Sequence, residues 1–500
     1  MEEQKNKSNK TSNRIIMLAK IALIVVLAAT SVMFVLSLFK TGIVSGLIMA
    51  IVIIVLTTVL AACIIQLIIR KRASVVAQIA CTILSIICIV GICFAMSYTG
   101  AFNGFINKVT ELKAEKKNYS LIVMETSGYD DLADLEQKNI GFLKTDKNAG
   151  TTESYLQTQI KFDTSLYDDI DVLLEVLKNR LSDAIVLETD RVESIKEATD
   201  ETFRGTKIIY SFEIEIEEED RKIVSKNVTE EPFIVYLSGS DSRNGVKATA
   251  RSDVNIVIVV DPKEAKMLLI SIPRDTYVQL HDTVGIKDKL THAGVYGINM
   301  SKTTIEDFLG ITINYTVKVS FDTVIKVVDQ LDGIEIDSDT AMTLKTLDGK
   351  TCEFKVGVQH VDGDCALRFA RERKTYQTGD RHRGENQQQV IASIVNKLSS
   401  SRDYVLKVPA ILDIAADSFE TSLSREEIID FVRLQLQEQP KWKTESIAIN
   451  GTGTMLPTYS MGYNLPLYVM IPDESTIANA KSRIAEYLGE MKEQPAENEQ

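Results

Sequence analysis

Apolar positions fall along this chain in two regimes. In the first, charge disappears: residues 21–39 (IALIVVLAATSVMFVLSLF), 43–69 and 73–107 contain no Asp, Glu, Lys or Arg. Each run is long enough to cross a ~30 Å hydrocarbon core as a helix. Buried helices of a soluble core would rarely give three such runs in succession. Three transmembrane helices are therefore expected, over about 15–39, 43–69 and 73–98. Lys5, Lys7, Lys10, Arg14 and Lys20 flank the first run, and Arg70, Lys71 and Arg72 fill the turn before the third, whereas only Lys40 separates the first two. Basic flanks mark the cytoplasmic side, so residues 1–14 are expected inside and residues 108–500 outside. The first run is too long for the apolar region of a cleaved signal peptide, and two more follow it. The expectation is a multi-pass cell-membrane protein with an external mass.

Beyond residue 108 the apolar runs shorten and begin to alternate in type. Residues 108–230 read as a small α/β accessory domain. A strand (SLIVM) is followed by a helical stretch (DDLADLEQ), a strand (NIGFLKT), a helix (YDDIDVLLEVLKNRL) and a strand (DAIVLET), closing on SFEIEIEEED, an edge-like strand with outward acids. Residues 231–490 open with three near-continuous apolar strands, PFIVYLSG, DVNIVIVVD and KMLLISIP. The helices TTIEDFLG and FDTVIKVVDQLDG follow, with NYTVKVS as a strand between them. QQQVIASIVNKLSS places Val390, Ile391, Ile394, Val395 and Leu398 on one helical face. SREEIIDFVRLQLQ and ESTIANAKSRIAEYLGEM read as later helices. Strands apolar throughout require cover on both faces, which gives an α/β sheet between helices. Residues 491–500 read as a disordered tail.

Charge then sharpens the picture. The chain carries a net charge of −13, yet five arginines, a lysine and a histidine fall within the 16 residues from Arg368 to Arg383. A solvated basic face is one reading of that run. The other is a site for a strongly anionic ligand, because guanidinium presents a rigid fork suited to phosphate oxygens. Nucleic acid fits poorly, since the basic run is expected outside the cell on an acidic ectodomain. Four cysteines (Cys63, Cys81, Cys88, Cys93) lie in the apolar spans, while Cys352 and Cys365 are external, where a disulfide between them is possible. Cys and His spacing gives no zinc signature.

Acid–base pairs recur at strand ends: Asp241 and Arg243 in GSDSR, Arg251 and Asp253 in RSD, and Arg274 and Asp275 in SIPRD. Ligands of open α/β sheets collect at such edges. Two carboxylates brought together call for a divalent cation, and Mg²⁺ shared with phosphate oxygens suits them, with Mn²⁺ as an alternative. Turn formation and salt bridging are the plain alternative for Asp241 and Asp253. If residues 366–373 are extended, Leu367, Phe369, Arg371 and Arg373 share one face. Arg383 and Gln387, four apart, share a face if the next helix begins early enough.

Taken together, GSDSR…RSDVNIVIVV, ISIPRDTYV, DKLTHAGVYG, RFARERK…GDRHRGENQQQVI and the C-terminal GTGTMLPTYSMGYNLPLYVM resemble the LytR–CpsA–Psr family of cell-wall glycopolymer ligases. The likeness is closest to capsule-type members with three spans and an accessory domain. It implies a three-layer α/β/α catalytic domain, with Asp241 and Asp253 binding Mg²⁺. It also implies that Arg251, Arg274, Arg371, Arg373, Arg383 and Gln387 bind the pyrophosphate. Many members carry Arg directly before the paired glutamines, where this chain has Asn386. The implied reaction moves a glycopolymer (capsular polysaccharide or a teichoic-acid-like chain) from a polyprenyl-pyrophosphate carrier to peptidoglycan beside membrane lipid. Arg274, Asp275 and Arg371 are the candidate catalytic residues, although Asp275 is equally suited to an ion pair holding Arg274. His292, the only other tempting proton carrier, reads more simply as structural. Binding or hydrolysis of the same lipid without transfer remains the competing function class.

Overall fold

The computed structural model describes residues 2–42, 44, 46–68, 75–110, 115–199, 201–216, 224–240, 251–346, 349–376, 379–400 and 419–490. Among them the chain divides into two compact units. One takes the residues up to Lys108 together with Ser424–Gln439, and the other takes the remainder.

The first unit consists of α1 (Glu2–Thr41), α2 (Gly46–Ile68), α3 (Val75–Thr110) and a later helix, Arg425–Glu438. Stretches long and apolar enough to cross a membrane run over Arg14–Thr41, Gly46–Ile65 and Gln78–Lys108, so the third extends past the expected end near 98. Lipid tails give helices no hydrophobic reason to associate, so small and polar contacts must do it. The Ser37 and Thr99 hydroxyls meet at 2.6 Å, and Lys20 Nζ donates to Gln78 Oε1 at 2.8 Å. Helix Arg425–Glu438, expected within the catalytic domain, lays Ile429 against Phe102 and Ile106 of α3. Arg425 donates to Lys40 O (2.9 Å) and to Asn107 Oδ1 (3.0 Å).

The second unit holds two sheets. The first comprises β1 (Glu115–Met124), β2 (Asn139–Leu143), β3 (Asp163–Tyr167), β4 (Ala184–Glu188) and β5 (Thr206–Ile216), in the order β3-β2-β4-β1-β5. Helices α4 (Ala149–Gln157), α5 (Ile170–Lys178) and α6 (Thr189–Ala198) cover it. β5 is an edge as expected: Phe212 and Ile214 are buried while Glu213 and Glu215 face outward. The segment DDLADLEQ forms only a 3₁₀ turn, Leu132–Leu135, opened by a capping box in which Asp131 and Asp134 each accept from the other's backbone N–H.

The second sheet comprises β6 (Phe233–Ser240), β7 (Val254–Asp261), β8 (Lys266–Ser271), β9 (Tyr315–Ser320), β10 (Phe419–Thr421) and β11 (Lys443–Ala448), in the order β10-β9-β6-β7-β8-β11. It is mixed: β7 runs antiparallel to both β6 and β8, whereas β9 and β11 run parallel to β6 and β8 respectively. One face buries Ile234, Tyr236, Val257 and Leu268 against Ile305 and Leu309 of α7 (Ile298–Leu309) and Ile477 and Ile484 of the C-terminal helix Glu474–Tyr487. The opposite layer is built from α8 (Phe321–Gln330), α9 (Gly363–Arg371) and α10 (Asp380–Ser400). Gln388 of α10 is pinned across strands β8 and β11 by bonds to Leu269 O (2.9 Å) and Ile447 O (2.8 Å). This is the expected three-layer sandwich.

Two features were not legible in the pattern. Hairpins pairing Ile334–Ser338 with Gly357–Val361 and Met342–Lys345 with Thr351–Phe354 enclose a satellite core with Phe369 and Val390. The Cys352–Cys365 disulfide ties that hairpin region to α9. The C-terminal hairpin, Gly451–Thr458 with Gly462–Pro472, reaches back to the first sheet: Arg191 Nε donates to Ser460 O at 2.8 Å, and Tyr463 N donates to Asp171 Oδ2 at 2.9 Å. Segments on either side of residue 230 therefore pack as parts of one compact unit. The expected tail, 491–500, lies outside the described residues.

Candidate active site

Antiparallel β7 begins where its neighbours β6 and β8 end, so three strand termini meet at one sheet edge. Asp253 N donates to Gly239 O (2.8 Å) and Ile272 N to Asn255 O (2.9 Å), which closes the corner on both sides. There Arg274 Nη1 donates to Asp253 Oδ1 at 2.9 Å, with the two side chains 25% and 19% exposed. The second acid, Asp275, is buried. Its Oδ1 accepts from Lys289 Nζ at 2.9 Å, and its Oδ2 stands 3.8 Å from Arg274 Nε. Asp275 thus sits between two cations, Lys289 and Arg274. Thr291 N donates to Arg274 O (2.9 Å) and Ser252 N to Thr291 O (3.2 Å), which places half-buried Arg251 on the same web of loops.

The arginine-rich stretch arrives at this edge as helices. Residues 363–371 form α9, not the expected extended segment. Asp362 caps it by accepting from Cys365 N at 2.9 Å, and helical spacing buries Ala366, Leu367, Phe369 and Ala370 together. The shared strand face for Leu367, Phe369, Arg371 and Arg373 therefore does not exist. Arg371 closes the helix, next to the satellite core, while Arg373 lies beyond it and is exposed. The chain then turns around Glu372, whose carboxylate accepts from Lys374 N (2.6 Å) and Thr375 N (2.9 Å). Burial pushes that carboxyl up, but the backbone donors outweigh burial and hold it below the ordinary range.

α10 starts early enough to put Arg383 and Gln387 on one face, both 8% exposed. Gly384, next to Arg383, lies against the end of β8: a Cβ there would stand 2.4 Å from Ser271 Oγ. Asn386 is buried and donates to Phe369 O at 3.0 Å, joining α10 to α9. The structure thus joins Asp253, Arg274 and Asp275 directly, sets α10, which bears Arg383 and Gln387, against the end of β8, and ties α9, which ends at Arg371, to α10. Asp241 and Arg243 lie outside the described residues. His292 is structural: it is 4% exposed, with Nδ1 at 2.6 Å from the wholly buried Asp288.

Both described carboxylates here are engaged by cations, while Arg251, Arg371 and Arg383 add further guanidiniums. Guanidinium groups are the donors whose planar fork suits phosphate oxygens. Lys289 and Glu372 escaped the sequence reading. The only signal for Lys289 was its place in DKLTHAG beside the buried pair Asp288 and His292.

Residues 201–473 match the LytR_cpsA_psr family. A polyisoprenyl-teichoic acid–peptidoglycan teichoic acid transferase, TagU, of Halalkalibacterium halodurans is 31% identical over 273 residues, covering 54% of this chain and 84% of the relative. The corresponding transferase TagV of Bacillus subtilis is 29% identical over 266 residues, covering 52% and 66%. The crystal structure of B. subtilis TagV aligns over 52% of this chain and 98% of its own, with 30% identity and a TM-score of 0.43. TagT bound to LIIa-WTA aligns over 55% and 97%, with 25% identity and a TM-score of 0.42.

Proposed function

The chain belongs to the LytR–CpsA–Psr family, and from that premise we propose that it transfers a glycopolymer from a polyprenyl-diphosphate carrier to peptidoglycan. A peptidoglycan hydroxyl forms the new bond to the polymer-bearing end of the diphosphate. The bond to polyprenyl phosphate breaks with its electron pair on the departing phosphate, and the hydroxyl proton passes to solvent or to that phosphate. The observation carrying this reading is the Asp253–Arg274–Asp275 cluster at the sheet edge that α10 also reaches. Arg274, with Arg251, Arg371, Arg373, Arg383 and Gln387, would bind the diphosphate and spread the charge that develops on it. Preorganised donors of this kind are a large term in such catalysis. The transferase names of the two relatives support the class of reaction, and either a teichoic-acid-like or a capsular polymer fits the site chemistry.

A Mg²⁺ ion held through Asp253, with Asp241 as a second donor, is the cation this reading calls for. Asp253 offers a carboxylate at the mouth of the site, and Asp241 lies in the stretch directly after β6. No group of three His, Cys, Asp or Glu side chains is gathered among the described residues. One or two carboxylates with water and substrate phosphate completing the shell is the pattern Mg²⁺ prefers, and Mn²⁺ would be accepted similarly. Bound there, the ion would neutralise diphosphate oxygens. The three spans would keep the site beside its lipid carrier, with the N-terminus cytoplasmic and the sheets outside.

The test uses the full chain in detergent with a polyprenyl-diphosphate oligosaccharide and peptidoglycan fragments. Release of polyprenyl monophosphate with product on the fragments, reduced by EDTA and by Arg371→Ala, supports transfer. Tight lipid binding without release would overturn it in favour of a receptor.

A further inference from the structure

We propose that Lys289 is a positioning residue for this reaction, acting on Arg274 through Asp275. The inference rests on the reading that Arg274 meets the diphosphate.

The Arg274 guanidinium stands between two carboxylates. Its Nη1 bonds Asp253 Oδ1 at 2.9 Å, and its Nε is 3.8 Å from Asp275 Oδ2. Which carboxylate it favours depends on how much negative charge each still offers. Lys289 Nζ occupies the other oxygen of Asp275 at 2.9 Å, in a setting where the two side chains are only 14% and 11% exposed. Low exposure keeps that ion pair from being screened by solvent. With Asp275 neutralised from behind, Arg274 is left turned toward Asp253 and the open edge. Without Lys289, the full charge of Asp275 would draw the guanidinium inward.

Lys289 is itself held. Its backbone N donates to Asp288 Oδ1 at 2.7 Å, and Asp288 also takes His292 Nδ1 at 2.6 Å and Ser460 N at 2.9 Å. Asp288 is wholly buried, so the ammonium projects from a fixed loop. This is the second tier of contacts that a binding group needs if its geometry is to persist.

The experiment is a double-mutant cycle on the full chain in detergent, reading affinity for polyprenyl diphosphate with polyprenyl monophosphate as the control lipid. Lys289→Gln is expected to weaken diphosphate binding about tenfold, a typical effect of misplacing a positioned group, and Lys289→Arg to restore most of it. On an Arg274→Ala background Lys289→Gln should add less than about twofold, because its route is already cut. The same tenfold loss on that background would overturn the proposal and leave Lys289 a merely structural residue. An Arg274→Ala protein that binds normally, or an unmodified protein that does not distinguish the two lipids, would overturn the functional reading and the proposal with it. If Lys289→Gln does not fold, it is paired with Asp275→Asn, which removes the charge that Lys289 offsets: the pair is expected to bind within about twofold of the unmodified protein, and a tenfold loss in the pair would overturn the proposal.

Discussion

The side-chain amide of Asn386 donates to the main-chain carbonyl of Phe369 at 3.0 Å, and through that bond the first turns of α10 are fastened to the last turn of α9. Phe369 lies two residues before Arg371, and Asn386 three residues after Arg383. The bond therefore sets the spacing between two of the arginines proposed to share a diphosphate. Removing it with Asn386→Ala deletes this bond while the carbonyl keeps its bond from Glu372 N at 3.2 Å, at a cost of about 0.5–1.5 kcal/mol. The expected outcome is a lower melting temperature together with a fall in transferase rate. An unchanged rate would show that the spacing of α9 and α10 does not matter.

In the first sheet, Lys117 Nζ and Glu188 Oε1 form an ion pair of 2.6 Å, with both residues buried. Deleting one partner strands the other in a medium that solvates it poorly. Lys117→Met is expected to destabilise this sheet by about 3–5 kcal/mol. A loss below about 1 kcal/mol in denaturant unfolding would mean that water reaches Glu188.

Close to that pair, burial and then the neighbouring charge of Glu188 raise the Asp146 carboxyl above its ordinary value. A raised folded-state value means that ionised Asp146 costs the folded state. The cost is absent below the unfolded value near 3.8 and develops as pH rises through the folded value. Asp146→Asn should therefore stabilise the protein at neutral pH, with the gain shrinking toward zero as pH approaches 4. Melting curves of both proteins across that window decide it. A gain that grows on acidification would contradict the sign.

The Cys352–Cys365 disulfide closes a short loop, with a sequence separation of 13. Loop-closure arguments put such a crosslink at about 3 kcal/mol. Reduction, or Cys352→Ala with Cys365→Ala, should lower the melting temperature and loosen α9, with a drop in activity if Arg371 contributes as proposed. Non-reducing mass analysis of protein from the native membrane would show the bond directly.

Membrane orientation follows from the basic flanks. A reporter that is active only outside the cell, fused after Ser120, is expected to be active, and one fused after Gln66, near the basic turn, to be inactive. The opposite pattern would place the arginines in the cytoplasm and remove the argument for a wall substrate.

Legible in the residues alone were the three apolar spans, the β–α alternation of the first sheet, the near-continuous apolar strands of the second and the place of Asp253, Arg274 and Asp275 at strand ends. These are local signals: charge-free length, apolar period and the residues flanking each run. The sequence was ambiguous where two periods fitted one stretch. Leu367 and Phe369 suit strand alternation, yet Ala366, Leu367, Phe369 and Ala370 suit a helix equally. The cap at Asp362, the crosslink at Cys365 and the pocket that receives Phe369 decided for α9. The partners of Arg274 were likewise beyond reach. Lys289 lies 15 residues further along the chain, and only the folding of its loop around buried Asp288 brings its ammonium to Asp275. Contacts of that kind depend on which loops share a sheet edge, and only the tertiary structure decides that.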